Sequence, residues 1–454
     1  MFHCDNAYYL PAVKIVSHRC KTHTVSNTAF RGFGGPQGMY AIEYVIDEIA
    51  RFLDRDPLDV RRLNYYGIGE RDETPYRQVV EDNLLEPITA SLEASAEYRA
   101  RRADVRAFNA AHDTLKRGLA LTPVKFGISF TATHLNQAGA LLHVYTDGTV
   151  HLNHGGTEMG QGLFTKVAQV VASELAIDID RIKITASDTS KVPNASATAA
   201  SSGSDLNGKA AQQAAQTIKA RLRRFAAEHF RVAERDVHFA DNHVEAGEER
   251  IPFAELVQLA WFARVSLSST GFYRTPKIHY DRPTFSGRPF YYYAYGAAVS
   301  EVLIDTLTGE YRILRVDILH DCGRSLNPAI DMGQIEGGFI QGVGWLTGEE
   351  LWWSARGELG THAPSTYKIP VCSDVPEDFR VEILESGKNR EDTIFRSKAV
   401  GEPPLMLGLS VFHALRDAVA ACGADRCRPP LRAPATPEAV LEAIIAVAGE
   451  PVDD

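Results

Sequence analysis

Three loops of small residues stand directly before apolar helical stretches, and this arrangement constrains the chain more than any other feature. The first, Arg31-Gly32-Phe33-Gly34-Gly35-Pro36-Gln37, precedes Ile42, Val45, Ile46, Ile49, Phe52 and Leu53, whose spacing is that of one helical face. The second, His154-Gly155-Gly156-Thr157-Glu158-Met159-Gly160-Gln161-Gly162, precedes Phe164, Val167, Val171 and Leu175; the third, residues 194–204, is nearly all Ala, Ser, Thr and Gly. Unpaired N–H groups and the positive end of the helix dipole favour anions at such starts. One glycine loop is usually a cap or a tight turn; three, with Gln and Ser interleaved, point to one large, anionic, hydrogen-bonding ligand. None is a nucleotide fingerprint, because Gly32-Phe33-Gly34 lacks the third glycine and the ribose-binding acid, and no G-x-x-x-x-G-K-[ST] occurs.

Strand signals surround these loops. Residues 8–16 read as a strand entered in mid-sheet, Asp56-Pro57 caps a short helix ending near Asn64, and the polar stretch 70–117 reads as a linker with a surface helix. Ala140–Tyr145 and Thr149–Leu152 flank a Thr146-Asp147-Gly148 turn, a hairpin signal. A second hairpin, Val302 to Leu319 around Thr308-Gly309, runs into the glycine-rich segment Gly333 to Gly344, so hairpin, glycine loop and helix form a pseudo-repeat. Residues 225–255 read as charged and peripheral. The class is α+β, and 454 residues predict two or three domains.

Charge and composition exclude several functions. Forty-eight Lys and Arg against 58 Asp and Glu give −10, which is not a nucleic-acid footprint. The sequence shows no export signal and no apolar run of membrane-spanning length. Six scattered cysteines without a C-x-x-C pair read as reduced cytoplasmic thiols and exclude a four-cysteine iron–sulfur site here. Without H-E-x-x-H, and with His151 and His154 on a strand end, a metal held by side chains is not supported. Glu402 is the clearest candidate for chemistry, since Pro403 and Pro404 stiffen the loop that holds its carboxylate. The bland alternative, for Glu402 and for Glu158, is an acid complementing a helix dipole. Phe33 and Phe130, at loop and strand ends, border a pocket or fill core.

Thr28-Ala29-Phe30-Arg31-Gly32-Phe33-Gly34-Gly35-Pro36-Gln37, Gly155-Gly156-Thr157-Glu158-Met159-Gly160-Gln161-Gly162 and Gly401-Glu402-Pro403-Pro404 resemble the molybdenum-binding subunit of the xanthine dehydrogenase family of molybdenum hydroxylases. The resemblance runs from Phe2 to Pro434-Ala435-Thr436-Pro437-Glu438. It implies two mixed α/β molybdopterin-binding domains with the cofactor at their interface. Residues 1–90 would finish the first domain, truncated at its N-terminus, and 91–454 would form the second. The family's molybdopterin is held by hydrogen bonds, which accounts for the missing His and Cys spacing.

By the same resemblance, Arg31 and Ala200 border the metal through their main chain, and Gly160, Gln161, Ser201, Ser202, Gln334 and Gly401 contact the cofactor. Phe33 and Phe130 clamp a flat purine, with Thr131 and Ala199 beside it. Glu402 is the general base, taking the proton from Mo–OH as its oxygen attacks an electron-poor ring carbon and hydride passes to Mo=S. Electrons would leave through [2Fe–2S] clusters and FAD to NAD on a partner subunit or domain, in a hetero-oligomer such as a dimer of heterodimers. The expected substrate is hypoxanthine or xanthine. An aldehyde oxidase-type hydroxylase and an inactive truncated scaffold are the alternatives, because the family's purine-orienting residues lie upstream of the equivalent of Phe2.

Overall fold

The computed structural model describes residues 1–24, 27, 29–192, 195–385, 387–424 and 426–449, so Thr28 and Asn194 of the expected loops lie outside the described residues. Four helices come first: α1 (Gly35–Phe52), α2 (Pro57–Asn64), α3 (Leu85–Ser95) and α4 (Tyr98–Ala111). Then follow β1 (Leu115–Ile128), β2 (Gln137–Val144), β3 (Val150–His154), α5 (Leu163–Leu175), β4 (Ile182–Ile184) and the long α6 (Gly203–Phe230). A peripheral unit of β5 (Val237–Ala240), β6 (His243–Ala246), β7 (Glu249–Pro252) and α7 (Phe253–Phe262) leads to β8 (Ser268–Arg274) and the short pair β9 (His279–Asp281) and β10 (Ser286–Arg288). The chain closes with β11 (Tyr292–Asp305), β12 (Tyr311–His320), α8 (Pro328–Leu346), β13 (Asp378–Ile383), α9 (Leu409–Ala420) and α10 (Pro437–Ala448).

Two four-stranded sheets share one plan. In one the order is β8-β2-β3-β4 and in the other β1-β11-β12-β13. Each has an antiparallel hairpin at its centre, a parallel strand on one side that returns through a helix, and an antiparallel edge strand on the other. The pseudo-repeat read from the hairpins is therefore real in its hairpins and helices, though not in its second glycine loop. The edge strands are exchanged: β1 precedes the first hairpin yet pairs with β11, whereas β8 precedes the second hairpin and pairs with β2. Both edge strands carry a glycine under a helix, since a Cβ on Gly118 would lie 1.9 Å from the Ala414 carbonyl of α9, and one on Gly271 2.0 Å from the Ala210 carbonyl of α6.

Four readings of the sequence need correction. Residues 8–16 form no strand; Tyr8 makes one bridge to Tyr65, and the segment then runs out exposed. Residues 70–117 are not a linker, because α3 and α4 pack on β1 and β11. Arg101 and Arg102, read as surface, are buried and paired with Glu301, Asp317 and Asp417. Gly333–Gly344 is no loop; it lies within α8.

Helix α1 is rotated relative to its pattern, burying Ile46 and half-burying Ile42 of the expected stripe but not the rest. It exposes Val45, Ile49, Phe52 and Leu53 and buries Glu43 and Asp47. The acids are tolerated because each is paired: Glu43 accepts from Arg61 at 2.8 Å, and Asp47 accepts from Arg51 at 2.9 Å and from Arg416 at 2.6 Å. Buried charge is stable only with such partners. Asp56 caps α2 as expected, accepting from the Leu58 amide at 2.9 Å.

Candidate active site

The turn that carries Glu402 lies against α8 at a distance only glycine allows. A Cβ on Gly342 would sit 2.0 Å from the Leu405 carbonyl oxygen, and one on Gly338 would sit 2.8 Å from Pro404. Pro403–Gly408 is a 3₁₀ turn whose residues are buried and which continues into α9. The glycines of α8 thus seat the turn, and the prolines hold it rigid. Glu402 stands half-buried at its start.

Arg31 joins the first loop to this turn. Its Nε donates to the Gly401 carbonyl, Nη2 reaches the Gln334 carbonyl at 3.3 Å, Gln334 Oε1 at 3.4 Å and the Val400 carbonyl at 3.5 Å, and Nη1 reaches Gln341 Oε1 at 3.3 Å. Burial pulls the guanidinium below its ordinary pKa, with Glu402 opposing. Beyond Arg31, Gly32, Phe33 and Gly34 have φ of 89°, 40° and 85°. Three consecutive left-handed residues make a sharp turn, and they leave the Phe33 ring 77% exposed.

The third loop reaches Glu402 from the other side. Ser201 Oγ donates to Glu402 Oε2 at 2.7 Å and accepts from the Glu402 amide at 2.8 Å. Ala200 and Ser201 are consecutive left-handed residues, with φ of 57° and 54°. A Cβ on Gly401 would meet Ser201 Oγ at 3.0 Å, so residue 401 must be small for this contact. Burial raises the Glu402 pKa, opposed by the Ser201 hydroxyl, the Gly32 amide and the Arg31 charge.

The second loop joins the third where the Thr157 amide donates to Thr198 Oγ1 at 2.9 Å. Glu158 turns back to accept from the amides of Gly160, Gly162 and Phe164 at 2.8, 3.0 and 2.9 Å. Burial works upward on its pKa, and these amides outweigh it, holding the carboxyl below its ordinary range. The start of α5 therefore holds its own anion, a correction to the expectation that all three helix starts await a ligand. Gln161 also closes its own loop, accepting from the Met159 amide at 2.5 Å and donating to the Thr157 carbonyl at 2.8 Å.

Of the expected residues, the structure gathers Arg31, Gln334, Gly401, Glu402 and Ser201 by direct hydrogen bonds, with Ala200 adjacent. Gln161 does not reach Glu402, because both ends of its amide are used within its loop. Ser202 stands at the N-cap position of α6 without capping it, its hydroxyl donating back to the carbonyl of Ala199 at 3.2 Å. Phe130 and Thr131 follow β1, where Asn136 Oδ1 accepts from the Phe130 amide at 2.8 Å and Asn136 Nδ2 donates to its carbonyl at 2.8 Å. Ser196 donates to the Gln137 carbonyl at 3.1 Å and ties that turn to the third loop. Sequence reasoning missed the Arg31 side chain as the clamp, and Gln341, Thr157 and Thr198 with it. The glycines of α8 were the available signal, since a helix with Gly at 338 and 342 expects a close neighbour.

Among the described residues, no group of three His, Cys, Asp or Glu side chains is placed to hold a metal. What converges instead is peptide groups, hydroxyls, the Gln334 amide and one carboxylate. Gly34 and Gly160 have φ of 85° and 96° and open space where a Cβ would be, so their backbone is approachable. Such donors suit a large polar heterocycle that brings its own metal. A molybdopterin cofactor-binding domain matches residues 91–376 and a second matches residues 1–65, and the chain belongs to this family.

Among its relatives, the xanthine dehydrogenase/oxidase of Rattus norvegicus is 47% identical over 450 residues, 98% of this chain and 32% of the relative. The xanthine dehydrogenase of Oryza sativa subsp. japonica is 46% identical over 455 residues, again 98% and 32%. The chain thus spans about a third of the length of these relatives. The solved quinoline 2-oxidoreductase from Pseudomonas putida aligns with TM-score 0.78 and 26% identity over 92% of this chain and 53% of that one. The reconstituted CO dehydrogenase from Oligotropha carboxidovorans shares the fold, with TM-score 0.79 and 22% identity over 92% and 52%. No helix among the described residues is long and apolar enough to cross a membrane.

Proposed function

We propose that the chain is the cofactor-binding part of a molybdenum hydroxylase that oxidises hypoxanthine and xanthine to urate. The observation that carries the reading is the meeting of three chain segments on Glu402, a half-buried carboxylate with a raised pKa. The relatives' names supply the substrate class. When bound, the molybdenum pterin would supply oxygen-transfer and two-electron chemistry.

The chain's own residues do the rest. Peptide groups of Arg31, Gly160, Ala200 and Gly401, with Gln161, Ser201, Ser202 and Gln334, would hold the pterin and border its metal. Phe33 and Phe130 would sandwich the flat ring, with Ala199 and Thr131 at its edge. Glu402 Oε1 would take the proton from the attacking oxygen while Ser201 and the Gly32 amide keep the carboxylate aimed. Iron–sulfur clusters, FAD and NAD would lie on a partner subunit or domain in a cytoplasmic hetero-oligomer, and they would take the electrons away.

The test is turnover by this chain assembled with its iron–sulfur and flavin partner, assayed on xanthine and on an aromatic aldehyde. Urate formation that falls about 100-fold or more in Glu402→Gln, with unchanged molybdenum content, is expected. Turnover of the aldehyde alone would assign the chain to the aldehyde branch, and near-normal kcat in the variant would remove Glu402 from the mechanism.

A further inference from the structure

We propose that the cleft between the α1–α2 turn and α4 binds a phosphate-bearing small molecule. Its volume is about 490 Å³, within the range of small-ligand sites. From α4, Arg99, Arg102 and Arg106 line it at spacings of three and four, so three guanidiniums share one helical face; Arg55 faces them from the turn. Like charges at that spacing repel, and the arrangement needs anions.

The protein provides them for Arg99 and Arg102, with Asp56 3.6 Å from Arg99. Asp59 accepts from Arg99 at 2.6 Å, Glu93 accepts from Arg99 at 2.5 Å, and Asp417 accepts from Arg102 at 2.5 Å. Asp54 lies 4.0 Å from Arg426. Among the described residues, neither Arg55 nor Arg106 has a carboxylate or hydrogen-bond partner for its guanidinium. Arg102 is only 8% exposed, and its Nε has no hydrogen-bond acceptor, although Asp56 Oδ2 lies 3.3 Å away out of line. Arg55 and Arg106, two exposed guanidiniums without a protein partner on facing walls of one cleft, are open to an oxyanion with several acceptor oxygens. The carboxylates in the cleft are engaged by arginine, which disfavours a metal cation there. Guanidinium matches phosphate oxygens two at a time, so a phosphate monoester or a diphosphate fits better than a monocarboxylate. The cleft lies beside the C-terminal end of α1, the helix that starts directly behind Arg31 and Phe33.

The test is calorimetric titration of the full chain with inorganic pyrophosphate and inorganic phosphate at constant ionic strength. Three proteins are compared: wild type, Arg55→Ala/Arg106→Ala, and Arg235→Ala/Arg250→Ala, which removes the same charge from exposed sites elsewhere. One pyrophosphate per chain is expected, tighter than phosphate, weakened at least 10-fold by the first pair and unaltered by the second. Arg55 and Arg106 hold no partner, so the melting temperature should not change; Arg55→Gln/Arg106→Gln is the substitute if the alanine pair does not fold. Absence of binding to the wild type, or equal weakening by both pairs, would overturn the proposal.

Discussion

Replacing Gly342 by alanine tests how Glu402, the proposed base, is held. The new Cβ would lie 2.0 Å from the Leu405 carbonyl oxygen, and real Cβ atoms essentially never approach closer than 3.0 Å, so the turn must back away from α8 by about 1 Å. The turn touches the helix a second time at Gly408, whose own Cβ would meet the Gly342 carbonyl carbon at 2.6 Å, so the added methyl has no slack to enter. Overpacking of this kind destabilises by about 1–3 kcal/mol. The displaced segment begins at Glu402, and a shift of about 1 Å at a catalytic group can lower the rate by about 100-fold. Stopped-flow reduction of the loaded, partnered enzyme by xanthine, with urea unfolding and molybdenum analysis alongside, would read all three quantities. Gly337→Ala, where a Cβ meets nothing within 4 Å, is the control and should stabilise α8 by up to about 1 kcal/mol. A Gly342→Ala enzyme with unchanged kcat would refute the claim that α8 positions Glu402.

Other outcomes follow from the same geometry. Ser201→Ala removes a hydroxyl that donates to the Glu402 carboxylate and favours its charged form, so the folded-state pKa, already raised, climbs further. Because the base must be ionised, the acid limb of the kcat/KM profile should move to higher pH, while Ser202→Ala should leave it in place. Glu43→Ala strands Arg61, which is buried, and should cost about 3–5 kcal/mol in urea unfolding with far less loss in Glu43→Gln. Phe33→Ala should alter stability by less than about 0.5 kcal/mol, the ring being 77% exposed, and raise KM for a purine; an unchanged KM would remove Phe33 from the substrate site.

Local chemistry made much of this fold legible. Thr146-Asp147-Gly148 and Thr308-Gly309 mark the two hairpins because a tight turn admits few residues there, and Asp56-Pro57 starts α2 for the same kind of reason. What depends on distant partners was hidden. The apolar stripe from Ile42 to Leu53 names the buried face of α1 only at Ile42 and Ile46, because Arg61 on α2 and Arg416, far along the chain, are what let Glu43 and Asp47 go inside. Gly338 and Gly342 read as a loop because glycine disfavours helix, and the close approach of Pro404 and Leu405 that requires them lies more than 60 residues away. The exchange of β1 and β8 likewise has no local signal. At the site, Glu402 was legible through its prolines, whereas the self-closure of Glu158 and Gln161 depends on side-chain rotamers that spacing does not specify.

The most direct measurement is the position of molybdenum in crystals of the loaded, partnered protein, located by its anomalous scattering. The account predicts one peak beside the Glu402 carboxylate, bordered by the main chain of Arg31 and Ala200, with the pterin lying along the 155–162 and 195–204 loops toward Gln334. A fully occupied peak away from Glu402, or a pterin bound elsewhere with these loops unchanged, would contradict it.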